Sequence, residues 1–305
     1  MKIANLNKSF RRYVRRFYEL SFPYWQKLGF HITPNHYYWP IPDTRKLKDV
    51  LWEKKSDLIG VEMNDKEQLE LLHLFLRFKK EFETFPRNKT SIPYQYYANN
   101  GYFGPIDGAI LYSIIRYFKP KTIFEIGSGF STYLSAQAVT KNKENSDECE
   151  LVVIDPYPND VIKKGFPGIS QLIPKEVQEV HLAEFEKLRE NDILFIDSSH
   201  VLKLGSDVQF IFLEVLPRLN KGVFVHFHDI FLPETYPKEW VLQKFMFWNE
   251  QYLLQAFLTF NDSYKVIWAG NYMYLKYHRK METAFDPYCE REGIGPGSFW
   301  IKKTK

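Results

Sequence analysis

The fold is decided by residues 122–132, which read TIFEIGSGFST. The first five residues are mostly β-branched or aromatic, a composition typical of a buried strand. The two glycines that follow permit a tight turn and a close approach of the backbone to a ligand. A helix predicted from about Thr132 would direct its first N–H groups towards the same place. This strand, turn and helix predict an α/β fold with a ligand site at the turn.

The same alternation of strand and helix continues along the chain. Short apolar runs predict further strands at residues 151–154, 177–180, 193–196, 223–227 and 298–301. Helical spacing of apolar residues predicts helices over 107–118, 132–139, 183–190, 208–219 and 240–260. Unbroken apolar strands between helices are typical of a doubly wound, mostly parallel sheet that is covered on both faces.

The first hundred residues have a different character. Residues 1–20 combine apolar residues at helical spacing with basic residues, namely Lys2, Lys8, Arg11, Arg12, Arg15 and Arg16. This pattern predicts a basic amphipathic helix, which either docks on the domain or contacts an anionic membrane surface or an acidic partner. Residues 21–60 are rich in aromatics and proline and predict extended chain, and 65–84 predict a helix. We therefore predict an N-terminal extension over 1–100 and a ligand-binding domain over 101–305.

Composition excludes several classes of protein. The chain has 305 residues and two cysteines, Cys149 and Cys289, which is too few for a disulfide framework. No apolar run reaches the ~18 residues that a membrane-spanning helix needs, and the N-terminus lacks a secretory signal. These features predict a cytoplasmic protein. The net charge of +4 is too small to indicate a nucleic-acid partner.

Polar residues follow the predicted strands at the points where ligands bind in open α/β sheets. Asp155 follows the second strand, Asp197 and His200 follow the fourth, and His228 and Asp229 follow the fifth. Strands one, four and five are expected to be neighbours, which would place Asp197 and Asp229 side by side.

These residue types indicate two kinds of chemistry. An acid at Asp155 can accept both hydroxyls of a ribose, and Thr132 replaces the third glycine of a dinucleotide site, which favours a smaller nucleoside ligand. Two carboxylates beside an imidazole can hold a divalent cation. They can alternatively act as an acid–base pair in which His200 takes a proton. His226, inside a strand, is predicted to belong to the core.

Residues 122–230 resemble the class I S-adenosylmethionine-dependent methyltransferases. Within that class they are similar to macrocin and catechol O-methyltransferases, with cephalosporin hydroxylase-like proteins as more distant relatives. The turn from Glu125 to Gly129 matches the first cofactor motif, and Asp155 matches the ribose-binding acid. The segment from Asp197 to His200, with Asp207, resembles the D-x-x-H…D motif, and residues 222–229 resemble the strand that ends in His-Asp.

The resemblance implies a seven-stranded sheet and a set of site residues. The cofactor S-adenosylmethionine would be bound by Glu125, Gly127, Ser128, Gly129, Ser131, Thr132 and Asp155. Asp197 and Asp229 would be ligands of Mg²⁺ or another divalent cation, with His228 at the position of a third ligand that is acidic in some relatives. His200 would be the general base, with Asp197 as its catalytic partner.

The implied activity is O-methylation of a small-molecule or sugar hydroxyl, with that small molecule as the main partner. The alternative is a catalytically silent methyltransferase fold that serves as a binding or scaffold module. A nucleic-acid substrate is not expected, because residues 197–200 replace the N/D-P-P-Y/F tetrapeptide of amino-directed enzymes. Peripheral membrane contact through the basic helix and a homodimer remain open.

Overall fold

The computed structural model describes residues 8–286, 288 and 295–305. The chain divides into two compact units, residues 1–51 and 52–305. The cysteine Cys289 and residues 1–7 lie outside the described residues, and Cys149 carries a free thiol. Within the described ranges, no helix is long and apolar enough to cross a bilayer.

The first unit is built around helix α1, Lys8–Lys27. Its inner face packs Tyr18 edge-on against Trp39 at 5.4 Å between ring centroids, and Phe22 stacks on His31. The opposite face carries exposed apolar side chains, namely Tyr13, Phe17, Leu20 and Tyr24. The prediction of extended chain from residue 21 is wrong for 21–27, because the helical apolar spacing continues and Pro23 lies inside the helix. Membrane contact by this helix stays a prediction.

The second unit contains a seven-stranded sheet. Its strands are β1 Thr122–Ile126, β2 Glu150–Ile154, β3 Gln171–Ile173, β4 Ile193–Ile196, β5 Phe224–Phe227, β6 Tyr264–Ala269 and β7 Phe299–Lys303. The strand order is β3-β2-β1-β4-β5-β7-β6, and β7 is antiparallel to both of its neighbours. The other pairs are parallel, so the predicted doubly wound, mostly parallel sheet is confirmed.

Helices cover both faces of this sheet. After α1 the helices are α2 Val50–Glu53, α3 Asp65–Phe75, α4 Lys79–Phe82, α5 Pro105–Phe118, α6 Phe130–Lys143, α7 Asp160–Lys164, α8 Leu182–Phe185, α9 Asp207–Phe210, α10 Leu216–Arg218, α11 Lys238–Leu242, α12 Glu250–Leu258, α13 Gly270–Lys276 and α14 His278–Phe285. A π-helical segment, Ile211–Val215, joins α9 to α10. The core therefore forms two apolar layers, one on each side of the strands.

The secondary structure differs from the sequence predictions at three places. The third strand is Gln171–Ile173 rather than 177–180, where Val177–Glu179 forms a 3₁₀ turn; β3 is a short edge strand, too short to show a periodic pattern. Strand β6 was not predicted, because Lys265 interrupts its apolar run. The helix predicted over 240–260 is two helices, α11 and α12, separated by a segment in which Phe245 has a φ of 55°.

The predicted boundary at residue 100 also differs from the structure, in which the units divide between Leu51 and Trp52. The boundary lies earlier in the chain because the segment after residue 52 packs into the core of the second unit. Phe75 and Phe82 are fully buried in the core, and the ring of Phe75 lies 5.2 Å from that of Trp268 on β6. Residues 65–82 therefore belong to the core of the sheet domain.

Asp192 joins the starts of the two central strands. Its Oδ1 accepts the N–H groups of Lys121 at 2.9 Å and Thr122 at 2.8 Å, and its Oδ2 accepts the N–H of Arg189 at 2.8 Å. The residue is buried. Because β1 and β4 pair in parallel, this carboxylate fixes their relative position, and with it the residues that follow them.

We expect Asp192→Ala to lower the free energy of unfolding by about 2–4 kcal/mol, because three N–H groups lose their acceptor. Urea unfolding followed by circular dichroism measures this change. Asp192→Asn keeps one acceptor oxygen, so its free energy of unfolding should fall by less than that of Asp192→Ala. Asp160→Ala, at an exposed carboxylate, is the control and should change stability by less than about 0.5 kcal/mol. An unchanged urea midpoint for Asp192→Ala would contradict this role.

Candidate active site at the carboxyl edge of the sheet

The turn after β1 brings the backbone of two strands unusually close. Gly127 has a φ of 84°, and a Cβ atom on it would lie 1.9 Å from the carbonyl oxygen of Asp197. No side chain fits in that space, so the position requires glycine. The Gly127 N–H donates to the carbonyl of Ile154 at 2.9 Å, which ties the turn to the end of β2 as well.

Glu125 lies behind this turn in the protein interior. Its Oε1 accepts the hydroxyls of Ser131 at 2.6 Å and Thr132 at 3.0 Å, while its Oε2 is buried with no hydrogen-bond partner. Burial raises the pKa of Glu125 to about 8, although the two hydroxyl donors oppose the shift. Thr132 also accepts the Gly129 N–H at 3.0 Å. These residues therefore hold the turn and the start of α6 together.

A cavity of about 580 Å³ opens in front of the turn. Among the predicted cofactor residues, Gly127, Ser128 and Asp155 line it, whereas Glu125, Gly129, Ser131 and Thr132 are not among its lining residues. One Asp155 oxygen accepts the Tyr157 N–H at 2.7 Å, and the other accepts the Ser128 hydroxyl. The carboxylate is thus fixed at the wall with acceptor capacity for hydroxyl groups of a ligand.

A second group of polar side chains lies at the ends of β4 and β5. His200 Nε2 is 3.3 Å from Asp197 Oδ1 and 3.8 Å from Asp229 Oδ2. His228 Nδ1 is 3.6 Å from Asp197 Oδ1 and 3.5 Å from Asp229 Oδ1. One ligand atom from each of Asp197, His200 and Asp229 lies within 4.8 Å of the others. The structure thus brings together the four residues that the sequence predicted to converge.

Asp197 belongs to both parts of the site, because it also lines the cavity that contains Asp155. A ligand in the cavity and a group bound beside the imidazoles would therefore both contact Asp197. This continuity is what makes the two clusters a single candidate active site.

Two buried carboxylates in the site were missed by the sequence analysis. Glu250, at the start of α12, contacts His200 Nδ1 at 2.9 Å through its Oε2. Asp107 Oδ2 lies 3.7 Å from His228 Nε2. The helix predicted over 107–118 begins two residues earlier, at Pro105, and the Asp107 carboxylate accepts the N–H groups of Gly297 at 2.9 Å and Ser298 at 3.0 Å. In the sequence, the only feature that could have indicated a site role for Glu250 is its position as a charged residue at the start of an otherwise apolar helix.

The carboxylates control the charge of the imidazoles. Burial alone would lower the pKa of His200, but hydrogen bonds to Asp197 and Glu250 raise it to about 10. The pKa of His228 is likewise raised, since the charges of Asp229 and Asp197 outweigh the effect of burial. Burial would raise the pKa of Asp197, yet the two imidazoles hold it well below its usual range. The neighbouring carboxylates therefore favour the cationic form of both imidazoles.

His226 takes no part in this cluster. Its ring stacks on Phe195 at 3.9 Å and its Nε2 lies 3.0 Å from the Ser298 hydroxyl. Burial lowers the pKa of His226 well below the ordinary value, so it is neutral. It lies in the fully buried core, as the sequence predicted.

The backbone at two site residues is left-handed. His200 has a φ of 59° and Asp229 a φ of 55°. Such residues cost about 1–3 kcal/mol each and persist where the surroundings fix them. At His200 the carbonyl accepts the N–H groups of Asn249 at 3.1 Å and Glu250 at 3.2 Å, which holds the turn against the start of α12.

Aromatic rings flank the imidazole of His200. Its ring lies 4.3 Å from that of Trp248, which in turn lies 5.2 Å from Trp240 and 6.0 Å from Tyr236. Trp240 and Trp248 are partly exposed. The rings form an apolar wall beside a charged cluster, an arrangement that suits a ligand with a flat face and a polar edge.

The chain is similar to known proteins both in sequence and in fold. A family model described as a methyltransferase domain matches residues 124–230. An uncharacterized protein of Archaeoglobus fulgidus is 34% identical over 175 residues, which cover 55% of this chain and 78% of that protein.

Solved structures with a similar fold include one titled "cmcI-N160 SAH", at 14% identity and a TM-score of 0.37, covering 74% of this chain and 91% of that one. Another is an O-methyltransferase from Bacillus cereus in complex with SAH, at 12% identity and a TM-score of 0.34, covering 77% and 91%.

We expect protein stability to fall as pH rises from about 4.5 to about 8, because folded Glu125 keeps its proton over that range and the unfolded chain does not. Thermal melts at intervals of pH measure this slope. Glu125→Gln removes the titrating group, so its stability relative to the wild type should increase with pH across the same window. An identical pH slope in both proteins would show that Glu125 is already ionised in the folded state.

Proposed function

We propose that this chain, in which a methyltransferase-domain family model matches residues 124–230, uses S-adenosylmethionine to methylate a hydroxyl group of a small molecule or sugar. The observation that carries the proposal is the position of Asp197. This carboxylate lines the nucleoside-sized cavity and also contacts His200, so the methyl donor and a proton acceptor would meet at one point.

The cavity suits the cofactor. Its volume of about 580 Å³ lies within the ~300–1,000 Å³ typical of cofactor sites. We assign Asp155 to the ribose hydroxyls, with Gly127 and Ser128 against the rest of the nucleoside, while Glu125, Ser131 and Thr132 support the turn from behind. Bound S-adenosylmethionine supplies a methyl group that is activated by its sulfonium.

We assign His200 as the base that removes the acceptor proton. Glu250 holds Nδ1 at 2.9 Å, so the ring presents Nε2 to Asp197 and to the edge of the cavity. Asp197 and Glu250 raise the pKa of His200 to about 10 against the effect of burial, so the neutral, basic form of the ring gains population as pH rises. Asp197 stays ionised and stabilises the imidazolium that forms. Trp248 and Trp240 would pack against the apolar face of the acceptor.

We also propose a divalent cation at Asp197 and Asp229. One oxygen of each and a nitrogen of His200 lie within 4.8 Å of one another, and the two partly buried carboxylates favour a compensating charge. A cation there would offset the charge of Asp197, which is one of the two carboxylates that raise the pKa of His200, and would lower the pKa of a bound hydroxyl.

The first test is cofactor binding. Asp155→Ala should weaken binding of S-adenosylhomocysteine at least about tenfold, or 1.4 kcal/mol, because the ribose hydroxyls lose their acceptor. Isothermal titration calorimetry measures the affinity, and Asp160→Ala, at an exposed carboxylate of α7, is the matched control. A wild-type protein that binds no S-adenosylhomocysteine would end the methyltransferase proposal.

The second test identifies the type of atom that accepts the methyl group. With S-adenosylmethionine labelled in its methyl group and a panel of sugars, phenols and aliphatic alcohols, we expect the label in an alkali-stable ether. His200→Ala should slow this transfer by about 10²–10⁴-fold and leave S-adenosylhomocysteine binding within threefold. Label in an amine, thioether or ester would contradict O-direction. Cofactor binding without transfer to any acceptor would favour the scaffold alternative.

A further inference from the structure

Helix α1 carries an exposed apolar stripe along one face. Tyr13, Phe17, Leu20 and Tyr24 follow one another at steps of three or four residues, which keeps them on the same side of the helix. Their side chains are 63–71% exposed, and the ring contacts that α1 makes within its own unit use the opposite face. A contiguous apolar stripe of this kind is typical of an interaction surface, whereas single exposed apolar residues are ordinary.

The first unit buries little apolar surface of its own. Among the residues that the structure describes, 24 large apolar side chains are exposed, and 12 of them lie within residues 13–51. No side chain described between residues 12 and 51 is buried. The exposed apolar surface of this chain is therefore concentrated in the short unit that contains α1.

Basic charge is concentrated in the same unit. Residues 1–51 contain ten basic and three acidic residues, a net charge of +7, whereas the whole chain has a net charge of +4. Residues 52–305 therefore have a net charge of −3. The positive charge of the protein is thus a property of the unit that exposes the apolar stripe.

The basic residues of α1 flank the stripe. Arg12 and Arg16 are exposed, and each precedes a residue of the stripe by one position, so both lie along the same edge of it. Glu19 is the one acidic residue of the helix, and Arg15 pairs with it at 2.7 Å. No acidic residue of α1 is therefore left to offset Arg12 and Arg16.

This distribution of charge argues against a second copy of the chain as the partner of the stripe. Two α1 helices packed on these faces would bring their basic residues to the contact, and the acidic residue of each helix is already paired. Like charges at an interface oppose association. An anionic surface, in contrast, would attract the arginines while the aromatic and leucine side chains leave water.

We infer that α1 is a peripheral membrane-binding helix, which lies in the headgroup region of an anionic phospholipid surface with Tyr13, Phe17, Leu20 and Tyr24 towards the acyl chains. Basic residues on one face and aromatic or leucine residues on the other are typical of helices that bind in this plane. The inference goes beyond the proposed methyl transfer and does not depend on it.

Vesicle flotation with the full chain measures this binding. One set of vesicles is pure phosphatidylcholine, and the other contains equal parts of phosphatidylcholine and phosphatidylglycerol. Binding to the anionic set should be at least about tenfold stronger, and it should fall as NaCl is raised from about 0.05 M to about 0.5 M, because salt screens the attraction.

A pair of matched variants tests the arginines. Arg12→Gln combined with Arg16→Gln should weaken binding to the anionic vesicles at least about tenfold, because each basic residue near such a surface contributes about fivefold. Arg279→Gln combined with Lys280→Gln removes the same charge from exposed positions of α14 and should leave binding unchanged.

A second pair tests the apolar stripe. Leu20→Ser should weaken binding at least about fivefold, because this side chain leaves water when the helix enters the interface. Leu213→Ser is the matched control in the second unit, since Leu213 is 59% exposed and Leu20 is 63% exposed, and it should leave binding unchanged. Circular dichroism of each variant checks its folding.

Equal binding to the two sets of vesicles, or binding to neither, would overturn the inference. Unchanged binding in Leu20→Ser or in the double arginine variant would do the same. A dimer in sedimentation equilibrium that Leu20→Ser dissociates, without vesicle binding, would assign the stripe to a second copy. Binding to soluble polyglutamate without binding to anionic vesicles would indicate an acidic protein partner instead. S-adenosylhomocysteine binding in the same samples reports separately on the proposed function.

Discussion

The active site depends on the close approach of Gly127 to the carbonyl of Asp197. Because no Cβ stands between them, the turn after β1 and the end of β4 share one wall of the cavity. Asp192 fixes the same two strands at their other ends. The nucleoside cavity and the carboxylate–imidazole cluster can therefore meet at Asp197, which lines the cavity and also contacts His200.

The parts of the site that follow strands could be predicted from sequence. Asp155 and Asp197 each come directly after a run of apolar residues, and Asp229 comes two residues after the end of β5. Parallel strands place such residues on one edge whatever the details of packing. The long apolar runs of β1, β2, β4 and β5 made these strands recognisable. The short edge strand β3 and the interrupted β6 lacked that signal, although both complete the sheet.

The residues behind the histidines could not be predicted in the same way. Asp107 and Glu250 come from helices α5 and α12, far along the chain from their partners, and reach His228 and His200 only through tertiary packing. Each is a single buried charge on a mostly apolar helix, a pattern that in sequence looks like an ordinary helix start. Their effect is nevertheless large, because buried carboxylates set the charge and orientation of an imidazole.

The left-handed backbone at His200 and Asp229 restricts which side chains the site can acquire during evolution. Among residues other than glycine, Asn, Asp and His occur most readily with positive φ, and both positions carry one of these types. A lysine at position 200 could act as a base and a glutamate at position 229 could bind a cation. Either residue would, however, add backbone strain at a positive φ. The local turn geometry therefore narrows the reachable catalytic groups to a few short polar residues, and a change of chemistry here requires a change of loop.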